Sequence, residues 1–315
     1  MEIILSILGG LGLFLFAVNT LSTVLKELLG ERTQKLVGKL VSNIFTAILT
    51  GTVVTVLLDS SSAVIILTIV LVNAKVLNFR QAIGIVMGAN IGTTFSSQLI
   101  AFDIGKYSPI PIFVGLLLGF FSRNENLSKG AQALLYFGIL FFGLYTMERS
   151  VEPLRESAVF IRLMERLNHP WLGAGVGALV TLIIQSSSAT VGIVITLAKK
   201  GLIELSGAIA VMLGAELGTC ADTLLATIRS NRQAVKTGLF HLGFNIISIT
   251  IGLLCFPLFV QLVLVISGRA SLQQQVATSH ILFNMFGVLL FLPFVGLIER
   301  LLDRLLPDKP AAATK

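Results

Sequence analysis

The sequence predicts an all-α polytopic membrane protein with inverted-topology repeats, each containing a re-entrant helical hairpin. Three observations lead there. The 315-residue chain is 55% apolar and 12% charged, too little charge for the surface of a soluble domain of that length. Its apolar runs are continuous and reach the roughly 20 residues that a helix needs to cross about 30 Å of hydrocarbon, whereas membrane strands alternate polar and apolar positions. Two polar strings also recur at one spacing. Asp59-Ser60-Ser61-Ser62-Ala63 is followed 126 positions later by Gln185-Ser186-Ser187-Ser188-Ala189, and Gly88-Ala89-Asn90-Ile91-Gly92-Thr93 by Gly214-Ala215-Glu216-Leu217-Gly218-Thr219. Gly12 and Gly138, Phe16 and Phe142, Gly51 and Gly177, and Thr55 and Thr181 keep the same register without a gap. Hydroxyl-rich breaks at corresponding places in two apolar halves point to a transporter whose site lies at broken helices.

The elements follow in order. Residues 3–25 form a first apolar helix; Met1-Glu2-Ile3-Ile4 lacks a basic n-region, so this helix is expected to be retained. A charged loop carries Lys26, Glu27, Glu31, Arg32, Lys35 and Lys39. Residues 41–58 and 63–72 are each too short to span comfortably, and they flank Asp59 and three serines, so they read as two half-helices of a hairpin. Such a break is tolerated only inside protein or beside a water-filled cavity. A helix over 81–102 and a short span over 109–121 complete the first repeat, residues 1–121, and 122–130 is a polar linker. The second repeat, 131–260, follows the same plan: a helix over 131–147, a charged amphipathic stretch over 148–169, a hairpin of 171–184 and 189–197, then helices over 208–228 and 236–259. A C-terminal extra helix, about 276–298 within 261–306, has no counterpart in the first half, and 307–315 reads as a disordered tail.

With both hairpins re-entrant, the first half crosses three times, which inverts the second half. Placing the N-terminus outside and the C-terminus in the cytoplasm puts fifteen of the 23 basic residues on the inside, as the positive-inside rule requires. The net charge of +7 therefore reads as loop retention at a bacterial inner membrane and not as nucleic-acid binding. Cys220 and Cys255 suggest neither a disulfide framework nor a metal spacing, and His169, His241 and His280 are too scattered for a metal centre. No cofactor is expected, and the oligomeric state is left open. His241-x-x-x-Asn245 and His280-x-x-x-Asn284 each put two polar groups on one helix face, predicting hydrogen bonds between helices.

A helix that starts in mid-membrane leaves about four amides without intrahelical partners and carries partial positive charge. Serine hydroxyls add rotatable donors, and no lysine or arginine interrupts the apolar segments. Two such starts face to face suit a tetrahedral oxyanion, and their oxygens suit a hard cation such as sodium. The halves also differ: Asp59 and Asn90 stand where the second half has Gln185 and Glu216. An intramembrane carboxylate is costly and is by default functional. With no basic residue in sequence reach, each requires a proton or a bound cation. Asp222 is a third candidate nearer a helix end.

At these strings the chain resembles the sodium-dependent phosphate cotransporter family, the type II sodium/phosphate group with its bacterial relatives. That family carries two inverted repeats, each with a Gln-Ser-Ser-Ser motif and a following Gly-Ala/Ser-Asn-Ile-Gly-Thr motif. The likeness covers about residues 3–250, with the serine motif complete at Gln185–Ser188 and the glycine motif complete at Asn90–Thr93. It implies sodium-coupled import of inorganic phosphate by alternating access, with both ions held between the serine motifs. Ser60, Ser61, Ser62, Ser186, Ser187 and Ser188 are the expected anion ligands. Asp59, Asn90, Gln185 and Glu216 are the expected sodium ligands, with Thr93 and Thr219 as further ones. Asp59 replaces the family's glutamine and Glu216 its asparagine, which leaves proton coupling and another oxyanion open. The alternatives are a cation-coupled or passive carrier or channel for another small anion and, remotely, an intramembrane serine hydrolase with His241 or His280 as base. No Gly-x-Ser-x-Gly elbow supports the last, and the expectation is that the chain is not an enzyme.

Overall fold

A computed structural model describes residues 2–102, 105–122, 124–151, 158–228 and 230–307. Beyond 307, the predicted disordered tail lies outside the described residues, as do 152–157 of the predicted amphipathic stretch. All regular elements among the described residues are helical. The first half comprises α1 (Glu2–Leu40), α2 (Ile44–Leu58), α3 (Ser61–Asn73), α4 (Phe79–Ala101) and α5 (Pro109–Phe121). It is followed by α6 (Glu125–Val151), α7 (Ala158–Arg166), α8 (Pro170–Ile184), α9 (Ser187–Lys199), α10 (Leu205–Gly218), α11 (Cys220–Leu225) and α12 (Arg232–Leu254). The chain closes with α13 (Phe256–Ser267), α14 (Leu272–Phe291) and α15 (Val295–Leu305). Among the described residues, four helices are long and apolar enough to cross a membrane, or up to six when two bent pairs count as single spans. The bent pairs are 79–101 with 105–121, at 74°, and 158–166 with 170–184, at 103°.

Several boundaries differ from the sequence expectation for identifiable reasons. The charged segment after residue 25 is not a loop, because α1 continues through it to Leu40; lysine, glutamate, arginine, glutamine and leucine are all good helix formers. Helix α6 begins at Glu125, inside the predicted linker. The predicted 236–259 helix ends at Leu254, and Pro257 sits in the first turn of a further helix, α13, of which the expected span took in only the start. The predicted last helix ends at Phe291, where a 3-10 turn containing Pro293 leads into α15.

Glycine sets how closely the elements approach. A Cβ on Gly10 of α1 would lie 2.8 Å from the Gly143 carbonyl of α6, so these two helices cross backbone to backbone. The contact of α2 with α4 is repeated by α8 with α10: a Cβ on Gly88 would sit 2.0 Å from the Ile48 carbonyl, and one on Gly214 would sit 1.8 Å from the Ala174 carbonyl. Gly51, Gly88 and Gly92, with their register mates Gly177, Gly214 and Gly218, are thus packing surfaces between each first half-helix and the long helix behind it. Buried apolar side chains collect around each hairpin and its long helix, and a third cluster (Phe14, Ala17, Leu140, Phe141, Leu144 and Ala189) fills the α1–α6 crossing beside the start of α9.

Candidate functional site at the hairpin tips

Each hairpin breaks in the same way. Asp59 closes α2 and Gln185 closes α8 in the left-handed region, at φ 50° and 59°, a conformation in which non-glycine residues are uncommon. Ser60 and Ser186 follow in extended backbone as N-caps. Their hydroxyls accept from the Ala63 and Ala189 amides at 3.2 and 3.1 Å. The cap hydroxyl thus serves one orphan amide of each new helix. The amides of Ser61 and Ser62, and of Ser187 and Ser188, precede any possible intrahelical acceptor. Ser61 and Ser187 are buried.

The tips converge. Asp59, Ser96 and Ser188 line one cavity of about 30 Å³, walled by Phe14 of α1, Phe137 and Phe141 of α6, and Leu99 and Ile100 of α4. The Ser96 hydroxyl donates to Asp59 Oδ1. This volume takes one or two water-sized particles and is too small for a tetrahedral oxyanion. The structure therefore brings Asp59 of the first motif and Ser188 of the second to the same space.

The residues of the glycine motifs sit further along the long helices. Asn90, Thr93, Glu216 and Thr219 are all buried. The Thr93 hydroxyl donates to Ala89 O at 2.9 Å, and that of Thr219 to Glu216 O at 2.9 Å, so both serve their own helix. The Asn90 Nδ2 makes no hydrogen bond. Glu216 meets His280 of α14, with Oε1 2.7 Å from Nε2, and His280 Nδ1 lies 2.7 Å from the Ser97 hydroxyl of α4. The expectation that each carboxylate requires a proton or a bound cation, having no basic residue in sequence reach, meets a basic side chain at Glu216, which faces His280, while Asp59 takes the Ser96 hydroxyl. Sequence reasoning missed Ser96 and Ser97, although Ser97 maps at the 126 offset onto Thr223, and it missed which group His280 serves. Asp222, on the short helix α11, is partly exposed. The histidines of α12 and α14 bond Thr223 and Ser97, not the hairpin serines. Among the described residues, no three His, Cys, Asp or Glu side chains cluster as a metal site.

The Na+/Pi-cotransporter family model matches the chain twice, over residues 13–149 and 146–292. The chain belongs to the Na+/Pi-cotransporter family. Among relatives, the uncharacterised protein YqeW of Bacillus subtilis is 31% identical over 84% of this chain and 85% of its own length. YjbB of Escherichia coli, named for inorganic phosphate export, is 26% identical over 99% of this chain, which spans 57% of the length of YjbB. Sodium-dependent phosphate transport protein 2A of Ovis aries is 34% identical over 27% of this chain and 14% of its own length. No solved structure matches. Two matches by a Na+/Pi-cotransporter model within one chain agree with the repeat read from the 126-residue register.

Proposed function

We propose that the chain is a secondary carrier in a bacterial inner membrane that moves inorganic phosphate together with sodium by alternating access, importing it down an inward sodium gradient. The observation that carries this reading is the shared cavity lined by Asp59 from one hairpin and Ser188 from the other. The first-turn amides and hydroxyls of Ser60–62 and Ser186–188 supply neutral donors to the anion, aided by two helix starts. Asp59 supplies the reason for coupling. A bare carboxylate about 4 Å from an anion repels it by roughly 4 kcal/mol at an effective dielectric near 20. A sodium ion at Asp59 removes that repulsion, so each ion raises the affinity for the other. Gln185, Asn90 and Glu216 complete the proposed oxygen ligands, with Thr93 and Thr219 behind them. Admission of phosphate requires the tips to part from Phe14, Phe137 and Phe141, the wall that opens in alternating access.

Family membership supports phosphate as the substrate. The name of YjbB favours a second reading, export through the same site. Labelled phosphate flux in proteoliposomes decides between them, with sodium, potassium or a proton gradient imposed in each direction. Uptake driven by external sodium is expected. Equal flux in potassium would remove sodium from the mechanism, and undiminished flux in the Ser61→Ala/Ser187→Ala double variant would remove the site.

A further inference from the structure

His241 and His280 are related in a way that the 126-residue register does not reveal. The motif His-x-x-x-Asn recurs 39 positions apart, at 241–245 in α12 and 280–284 in α14. Helix α12 packs on α3, α4, α10 and α11, and α14 packs on α4, α9 and α10. Exchanging the two repeats largely exchanges these surroundings. Each imidazole also uses Nδ1 for a hydroxyl at the repeat-equivalent place, His280 for Ser97 at 2.7 Å and His241 for Thr223 at 2.8 Å. Both rings and both hydroxyl residues are buried.

The second ring nitrogen breaks the symmetry. His280 Nε2 faces Glu216 Oε1 at 2.7 Å. With Glu216 as a carboxylate, which only accepts, and the ring neutral, Nε2 holds the ring proton and Nδ1 accepts from Ser97. At His241, the Thr223 hydroxyl donates to Cys220 O at 3.0 Å, so its oxygen accepts from Nδ1–H. Nε2 then accepts from Asn245 Nδ2 at 3.0 Å. Where symmetry would put Asn90 against His241, the Asn90 Nδ2 makes no hydrogen bond.

We infer that His241 and His280 are mirrored positioning residues held in opposite tautomers, and that His280 orients the Glu216 carboxylate for the coupling cation while Ser97 fixes the ring. The part concerning the cation rests on the reading of the chain as a sodium-coupled carrier; the tautomers do not. Ring 15N resonances of histidine-labelled protein, assigned with single His→Gln variants, are expected to show His280 protonated at Nε2 and His241 at Nδ1. Glu216→Gln is expected to move the His280 resonances and leave those of His241. Two rings in one tautomer, or a His280 signal indifferent to Glu216→Gln, overturns the inference whatever the transport result.

The functional arm uses sodium half-saturation of phosphate flux. His280→Gln keeps an N–H donor near Glu216 and should stay near wild type. His280→Asn reaches only toward Ser97 and should raise sodium half-saturation about 10- to 100-fold, as loss of a group that orients a metal ligand does, with the phosphate KM little changed. In a Glu216→Gln background the same substitution should add nothing. Wild-type flux indifferent to sodium refutes the carrier reading and leaves the tautomer arm to decide the positioning. Sodium-dependent flux with equal half-saturation in His280→Asn and wild type overturns the role of His280.

Discussion

At the residue scale, the most exacting positions are small ones. Gly88 and Gly214 hold neighbouring backbones so close that an added methyl would meet a carbonyl oxygen at 2.0 and 1.8 Å, and main chain cannot turn aside as a long side chain does. Gly88→Ala and Gly214→Ala are each expected to cost about 1–3 kcal/mol or more from overpacking, read as lost thermal stability and lost monodisperse yield in detergent. Gly12→Ala and Gly175→Ala, where nothing lies within 4 Å of the added Cβ, are the controls and should behave as wild type. Gly12, Gly88 and Gly214 were legible as repeat markers, but which of them touch a neighbour was not. The motif serines were legible for a different reason: three adjacent hydroxyls in an apolar run have no packing advantage that recurs at one register. The partner of Glu216 was hidden, because His280 is 64 residues away and joins it only when α14 lies against α10.

At the element scale, each hairpin is defined by the same two-residue break, a left-handed residue and an extended serine cap, followed by a helix that starts inside the protein. Hydropathy finds the two arms and the serines mark the tip. Helix α15 is a different kind of element, with apolar residues on one face and Glu299, Arg300, Asp303 and Arg304 among the others. It is pinned by Asp303 to Lys236 of α12 at 2.6 Å and by Glu299 to Arg80 of α4 at 3.6 Å. Glu299 and Asp303 border a cavity of about 830 Å³ that is also lined by Lys75, Asn78, Asn231 and Arg232. Lys236 is buried while Asp303 is half exposed, so the pair lies between a surface pair, worth about 1 kcal/mol or less, and a buried one, whose loss costs more. Asp303→Ala is expected to speed amide exchange across residues 295–305 without unfolding the bundle. Unchanged exchange would mean that the apolar face of α15 alone holds it.

At the scale of the whole molecule, two hairpins with their long helices surround the α1–α6 crossing, and α12 and α14 complete the exchange of the two halves. The 126-residue register ends before α14, and so α14 was read as an extra helix with no counterpart; its packing and its histidine make it the mate of α12. The orientation expected from charge is open to a direct test. With fifteen of 23 basic residues assigned to one side, a reporter fused after residue 315 should be active only in the cytoplasm, and one fused before residue 1 only outside. The reverse pattern would turn the molecule over, exchanging the faces of both hairpins and with them the face from which each ion enters.

By itself, the sequence determined the helical membrane class, the two repeats and the hairpin tips. Those properties depend on local composition and on a spacing that survives in the chain. Only the tertiary structure decided that Asp59 and Ser188 share a cavity, that Ser96 and His280 are the partners of the two carboxylates, and that α12 and α14 form a pair. Each of these joins residues on different helices, and helix-on-helix packing in an apolar bundle is set by where small side chains let backbones approach, which hydrophobic patterning alone leaves open.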